Sequence, residues 1–152
     1  MAELAPAFEA YALDEGVLDP LIEACASEAR CVPATWILRQ LLERGCELDP
    51  ARTATLIRSL DRVSDADARL HLCQSMRWIE PSARNAEQLA RFLRSGCEGD
   101  HKLVRAWSMD GFQHLAGHHP RYVAEARKWL ARAAEDPAAS VRARARRISD
   151  GR

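Results

Sequence analysis

An interval of about 36 residues governs what this chain can fold into. Arg69, Arg105 and Arg142 stand 36 and 37 residues apart, and Asp65, Asp100 and Asp136 precede them at intervals of 35 and 36. Cys73, Met109 and Arg146 share one column of that alignment, and Met76, Phe112 and Ser149 another. Within each interval apolar residues recur three and four apart, the period of an amphipathic helix. A helix pair of this length cannot bury its own apolar face, whereas stacked neighbours share a continuous core. The chain is therefore predicted to be all-α, a right-handed α-α superhelix (solenoid) of about four helix pairs. They fall near residues 17–45, 49–80, 84–117 and 119–149, in one domain.

The clearest segment is Asp100–Ala116, where Val104, Trp107, Ser108, Gly111, Phe112 and Leu115 line one face. Asp100 is read as its N-cap, and Gly117 followed by Pro120 as its stop. Gly111 is taken to mark a close helix–helix approach, since a mid-helix glycine costs roughly 1 kcal/mol against alanine. Asp19-Pro20 and Asp49-Pro50 read as N-caps followed by proline at the first helical position, with Leu21, Ile22, Cys25, Ala26 and Ala29 facing inward after the first. Gly45 is the expected C-cap of a helix opened by Pro33. Ser64-Asp65 caps the next helix, Asn85 and Gln88 have the spacing of a capping box, and Gly96 with Gly99 should break the helix that follows. A short helix or cap is expected over Glu3–Leu13.

Two segments carry a family likeness. Asp100-His-Lys-Leu-Val104-Arg105 and Asp136-Pro-Ala-Ala-Ser-Val141-Arg142 resemble the start of the second helix in HEAT repeats, and the likeness covers residues about 49–148. It implies an Asp–Arg ladder between neighbouring repeats, placed on Asp65, Asp100 and Asp136 with Arg69, Arg105 and Arg142. It also implies that the second helices line a concave partner-binding face. The stripe beside the buried face of the Asp100 helix is then Leu103, Ala106, Asp110, Gln113 and His114, with Trp107 at its edge. Shifted by one repeat, it becomes Asp67, Leu70, His71, Gln74 and Trp78 upstream, and Ser140, Arg144, Arg147 and Gly151 downstream. The expected partner-binding residues are Trp78, His71, Gln74, Trp107, Asp110, His114, Arg144 and Arg147, a mixture typical of binding surfaces.

The function implied is a non-catalytic scaffold or adaptor that binds another protein, with no cofactor. The same resemblance offers an alternative with nucleic acid as partner. Alkylpurine DNA glycosylases are HEAT-like proteins that hold a carboxylate and aromatics against a damaged nucleotide. Asp110 with Trp107 is the one place to map that chemistry, with Arg144 and Arg147 against phosphates.

Charge separates these classes only weakly. The 22 basic and 22 acidic residues cancel, but residues 1–76 hold 7 basic against 13 acidic residues, and residues 77–152 hold 15 against 9. The net −6 and +6 put a dipole along the chain and an arginine run, Arg142, Arg144, Arg146, Arg147 and Arg152, at its end. Such arginines suit either a solvated terminal repeat or phosphate. Cys25, Cys31, Cys46, Cys73 and Cys97 are odd in number and form no C-x-x-C pair, which fits thiols in a reducing compartment. No apolar run approaches a membrane span, and the N-terminus has no basic flank before an apolar stretch, so a cytoplasmic protein is expected. His114 and His118 are spaced i, i+4, but His118 and His119 lie in a G-H-H-P helix stop where that geometry should fail, and no metal is expected there.

Overall fold

The computed structural model describes residues 15–151, so the expected segment Glu3–Leu13 lies outside the described residues. Eight α-helices and no strand occur among them: α1 Leu18–Cys25, α2 Cys31–Glu43, α3 Pro50–Ser59, α4 Ala66–Ser75, α5 Ala86–Glu98, α6 Lys102–His118, α7 Val123–Ala134 and α8 Ala139–Ser149. Short 3-10 turns extend α3 over Leu60–Arg62 and α4 over Met76–Trp78. The helices α2, α4, α6 and α8 pack each on the next, and α1 packs on α3. Between α5 and α7 the link runs through Arg94, which forks both oxygens of Glu125 at 2.6 and 2.8 Å and reaches Glu87 at 2.7 Å.

One apolar core runs from Leu18 to Ala145. Its largest fully buried members include Ile22, Leu38, Leu56, Leu72, Leu89 and Phe112, at least one from each of α1–α6. Two glycines let α5 and α6 approach. A Cβ on Gly96 would collide with Ser108, and one on Gly111 would lie 2.8 Å from Leu93 Cδ2. Gly111 thus marks a close approach as its position suggested. Gly96, by contrast, sits inside α5 and does not end it; Gly99 is the C-cap.

The caps divide similarly. Asp49 accepts from the Arg52 amide with Pro50 at the first helical position, and Asp65 accepts from the amides of Asp67 and Ala68. At Gly45 the backbone adopts φ +92°, while the Cys46 amide donates to Leu41 and the Gly45 amide to Leu42, a Schellman closure. Elsewhere the expected cap has other work. Asp19 lies in the first turn of α1, where it pairs with Arg52 at 2.9 Å, and Ala29 is exposed because α1 has already ended at Cys25. The cap of α6 is His101, whose Nδ1 accepts from the Val104 amide at 3.3 Å; Asp100 stands one residue too early. Asn85 makes no side-chain cap, because its backbone is already αR rather than extended; its amide donates to the Ser82 carbonyl, and Gln88 donates to the Arg58 carbonyl and Asp61. Helix α6 also continues through Gly117 to His118 and stops only before Pro120.

The arginine column holds the turns within pairs. Arg69, Arg105 and Arg142 each donate from Nη1 to the carbonyl six residues upstream, on Val63, Gly99 and Asp136, at 3.1, 3.1 and 2.7 Å. An Asp–Arg ladder forms at one step only. Arg105 forks Asp136, whereas Arg69 turns to the Phe92 carbonyl and Ser95, and Arg142 to the Pro137 carbonyl. Arg105 also bonds two carbonyls, so the carboxylate is added to those contacts and does not replace them.

Candidate binding site on the outer stripe of α6

Asp110 projects from the middle of α6 and holds two arginines brought from elements on either side. Arg77, in the turn after α4, and Arg144, on α8, both lie 3.7 Å from Asp110 Oδ2. The Arg144 guanidinium also covers Trp107, its carbon 3.5 Å from the ring centroid, and Arg77 lies 5.4 Å from the same ring and 5.5 Å from that of Trp78. Cation–π contacts of this kind contribute about 0.5–2 kcal/mol, more as the cation loses water. The side chains of Arg144 and Asp110 are 19% and 24% exposed, that of Arg77 49%. Burial lowers the Arg144 pKa from its ordinary value; Asp110 opposes that shift, while Arg77 and Arg147 add to it. Beside Asp110 an open cleft of about 250 Å³ is lined by Cys73, Met76, Arg77, Gln113, His114 and Ile148.

Hydrogen bonding sets this group apart. Neither Arg77 nor Arg144 is within hydrogen-bond reach of another described residue, the 3.7 Å ion pairs being too long. Arg69, Arg94, Arg105 and Arg142 each make two or more such bonds. Guanidinium groups with five donors each thus converge here on one shared carboxylate.

The expected stripe is only partly assembled. Trp107, Asp110 and Arg144 come together, Trp78 is reached through Arg77, and Arg147 is exposed near Arg144. His71 and Gln74 belong to the preceding interface: His71 Nδ1 lies 3.2 Å from Thr35 Oγ1, and Gln74 accepts from Arg39 at 2.6 Å. His114 Nε2 is held 3.1 Å from the Ile79 carbonyl oxygen, and desolvation by burial lowers its pKa. Gln113 donates to the Ala126 carbonyl, and Ala106 is buried. Contrary to expectation, His114 and His118 do keep helical i, i+4 geometry, with rings 4.6 Å apart, because α6 extends to His118. No group of three or more His, Cys, Asp or Glu side chains able to hold a metal occurs among the described residues.

Sequence reasoning missed Arg77. It lies in a 3-10 turn, where a stripe extrapolated at 3.6 residues per turn loses register. Its place in M-R-W, beside a tryptophan already in the stripe, was the available signal.

No protein-family model, curated protein or solved structure matches the chain. No helix among the described residues is long and apolar enough to cross a membrane.

Proposed function

We propose that the chain is a HEAT-like solenoid acting as a non-catalytic scaffold or adaptor, with another protein bound on a concave face lined by α2, α4, α6 and α8. The observation that carries this reading is the meeting of Arg77, Trp107, Asp110 and Arg144, drawn from three consecutive repeats onto one patch. Tryptophan and arginine are the residues most enriched where protein interfaces concentrate their binding energy. Contacts from one second helix to the next, or to the turn that follows it, recur near the repeat interval, as in Thr35 with His71, Cys73 with Ser108 and His114 with Ile79. That spacing is what a stacked array requires.

The glycosylase alternative asks more of the same residues. A base would have to take the face of Trp107 that Arg144 covers, and Asp110 would have to leave two guanidinium groups to meet a cationic sugar. Protein binding requires neither movement. The test is site-specific photo-crosslinking in cells. A photoreactive residue in place of Gln74 or Leu103 should capture a protein, and one in place of Ala131, on the outward side of α7, should not. Capture of nucleic acid at the first two positions, or base release from alkylated DNA that is lost in Asp110→Asn, would overturn the adaptor reading.

A further inference from the structure

We propose that the Arg77–Trp107–Arg144 patch docks an acidic protein segment, in which a carboxylate takes the place of Asp110 between the two guanidinium groups; this rests on the protein-binding reading above. The charges are unbalanced there: Arg77 and Arg144 face one carboxylate, Asp110, and the exposed Arg147 adds positive charge beside Arg144. That carboxylate approaches each of the two arginines only to 3.7 Å, at Oδ2, so neither receives the two-bond fork that a guanidinium makes with a well-placed carboxylate. The same chain builds that fork elsewhere, from Arg105 to Asp136 and from Arg94 to Glu125. An incoming glutamate or aspartate side chain supplies what Asp110, fixed on its helix, does not reach.

The rest of the surface narrows the ligand. Leu103, one turn before Trp107 on α6, is the exposed large hydrophobic side chain of the described residues, at 37%. Its position favours a segment with an apolar residue about one helical turn from its acid. The basic character is local. Upstream along the second helices stand Gln74, Asp67 and Glu43, with Arg39 already engaged by Gln74 and Glu43. A nucleic-acid backbone needs a track of cations to neutralise successive phosphates. A short acidic peptide needs only the patch.

Asp110 makes the proposal testable, because it competes with the ligand. The probe is a fluorescein-labelled peptide of alternating glutamate and leucine, read by fluorescence anisotropy at low and physiological salt. Wild type should bind it, and a lysine–leucine peptide of equal length should not bind. Arg77→Gln with Arg147→Gln should weaken binding by about tenfold, equivalent to roughly 1.4 kcal/mol. Both side chains are well exposed, so this variant keeps the fold even where Arg144→Gln does not. Asp110→Asn should tighten binding several-fold, a gain that a merely structural aspartate does not give. Arg127→Gln, exposed on α7, should change nothing. No binding of the acidic peptide, or unchanged affinity in Asp110→Asn, would overturn the proposal. So would tighter binding of duplex DNA than of the peptide with the same arginine dependence. Protein crosslinked at Gln74 or Leu103 together with failure of the acidic peptide leaves the adaptor reading standing and removes this one.

Discussion

Arg105 grips Asp136 with both arms: Nε to Oδ2 at 2.9 Å and Nη2 to Oδ1 at 3.0 Å, while Nη1 holds the carbonyls of Gly99 and Asp100 at 3.1 and 2.7 Å. One side chain therefore closes the turn before its own helix and ties that helix to the turn of the next pair. The carboxylate is pulled below its ordinary pKa, chiefly by the hydrogen bonds from Arg105, and it also caps the Ala138 amide.

Arg105→Ala should cost about 2 kcal/mol, because the pair is mostly buried, at 18% and 12% exposure, and Asp136 is left without its partner. Arg105→Lys should recover less than half, since an ammonium cannot fork a carboxylate and hold two carbonyls together. Urea denaturation checks both. The depressed Asp136 pKa fixes the pH dependence: the pair's contribution is complete above the ordinary carboxylate pKa and is lost as pH falls through the folded value. The gap between wild type and Arg105→Ala should be flat near neutrality and shrink in acid.

Gly96→Ala and Gly111→Ala should differ in outcome. At Gly96 the new methyl meets Ser108 Oγ, with Ser108 Cβ at 2.9 Å, so backbone-anchored atoms must move. A loss of about 1–3 kcal/mol is expected from overpacking. At Gly111 the nearest obstacle is a terminal methyl of Leu93, Cδ2 at 2.8 Å, and alanine returns about 1 kcal/mol of helix propensity. That variant should stay within about 1 kcal/mol of wild type. Thermal melts of the two proteins distinguish the cases, and Gly96→Ala with Ser108→Ala should recover part of the loss.

How far the sequence reached depended on which force acted. The helices α3 and α4 follow directly from Asp49-Pro50 and Asp65, because a capping side chain bonds only to amides two or three residues away. Buried faces such as Ala68, Leu72, Cys73 and Met76 follow from spacing alone. Two failures came where a long-range partner outbid the local one. Asp19 is taken by Arg52 across 33 residues and Gln88 by Asp61 across 27. The candidate patch was half visible for the same reason: Trp107, Asp110 and Arg144 obey the helical stripe, but Arg77 enters from an irregular turn, and His71 and Gln74 are claimed by Thr35 and Arg39.

Thiol reactivity should sort by burial. Desolvation by burial pushes the Cys25 pKa up to about 12 and that of Cys73 up to about 11, and it raises Cys97 as well. None of the five cysteines is in a disulfide, and Cys46 is the one that is not buried. A brief pulse of maleimide on the native protein at neutral pH, read by mass spectrometry, should label Cys46 first and leave Cys25, Cys73 and Cys97 untouched until denaturant is added. Equal labelling at all positions without denaturant would contradict the packing of α1, α4 and α5.

Two histidines should make the fold acid-sensitive before any carboxylate titrates. The pKa of His71 is lowered by burial and then by Arg39, and that of His114 by burial, with His118 adding to the effect. Burial and the neighbouring cations therefore drive the effect, because the bond that His114 Nε2–H donates to the Ile79 carbonyl survives protonation and opposes the shift. A group whose folded pKa lies below its unfolded one adds stability that is fully present above the unfolded value, near pH 6.5 for histidine, and is lost as pH falls toward the folded value. Each site then contributes a slope of up to about 1.4 kcal/mol per pH unit across that window. Unfolding free energy should therefore be level from pH 8 to about 6.5 and then decline before the ordinary carboxylate range is reached. His71→Gln with His114→Gln should flatten this decline, because glutamine keeps a donor and an acceptor but does not titrate there. Urea titrations at half-unit pH steps provide the measurement. An equally steep decline in the double variant would assign the acid sensitivity to other groups and show that both rings accept a proton without cost to the fold.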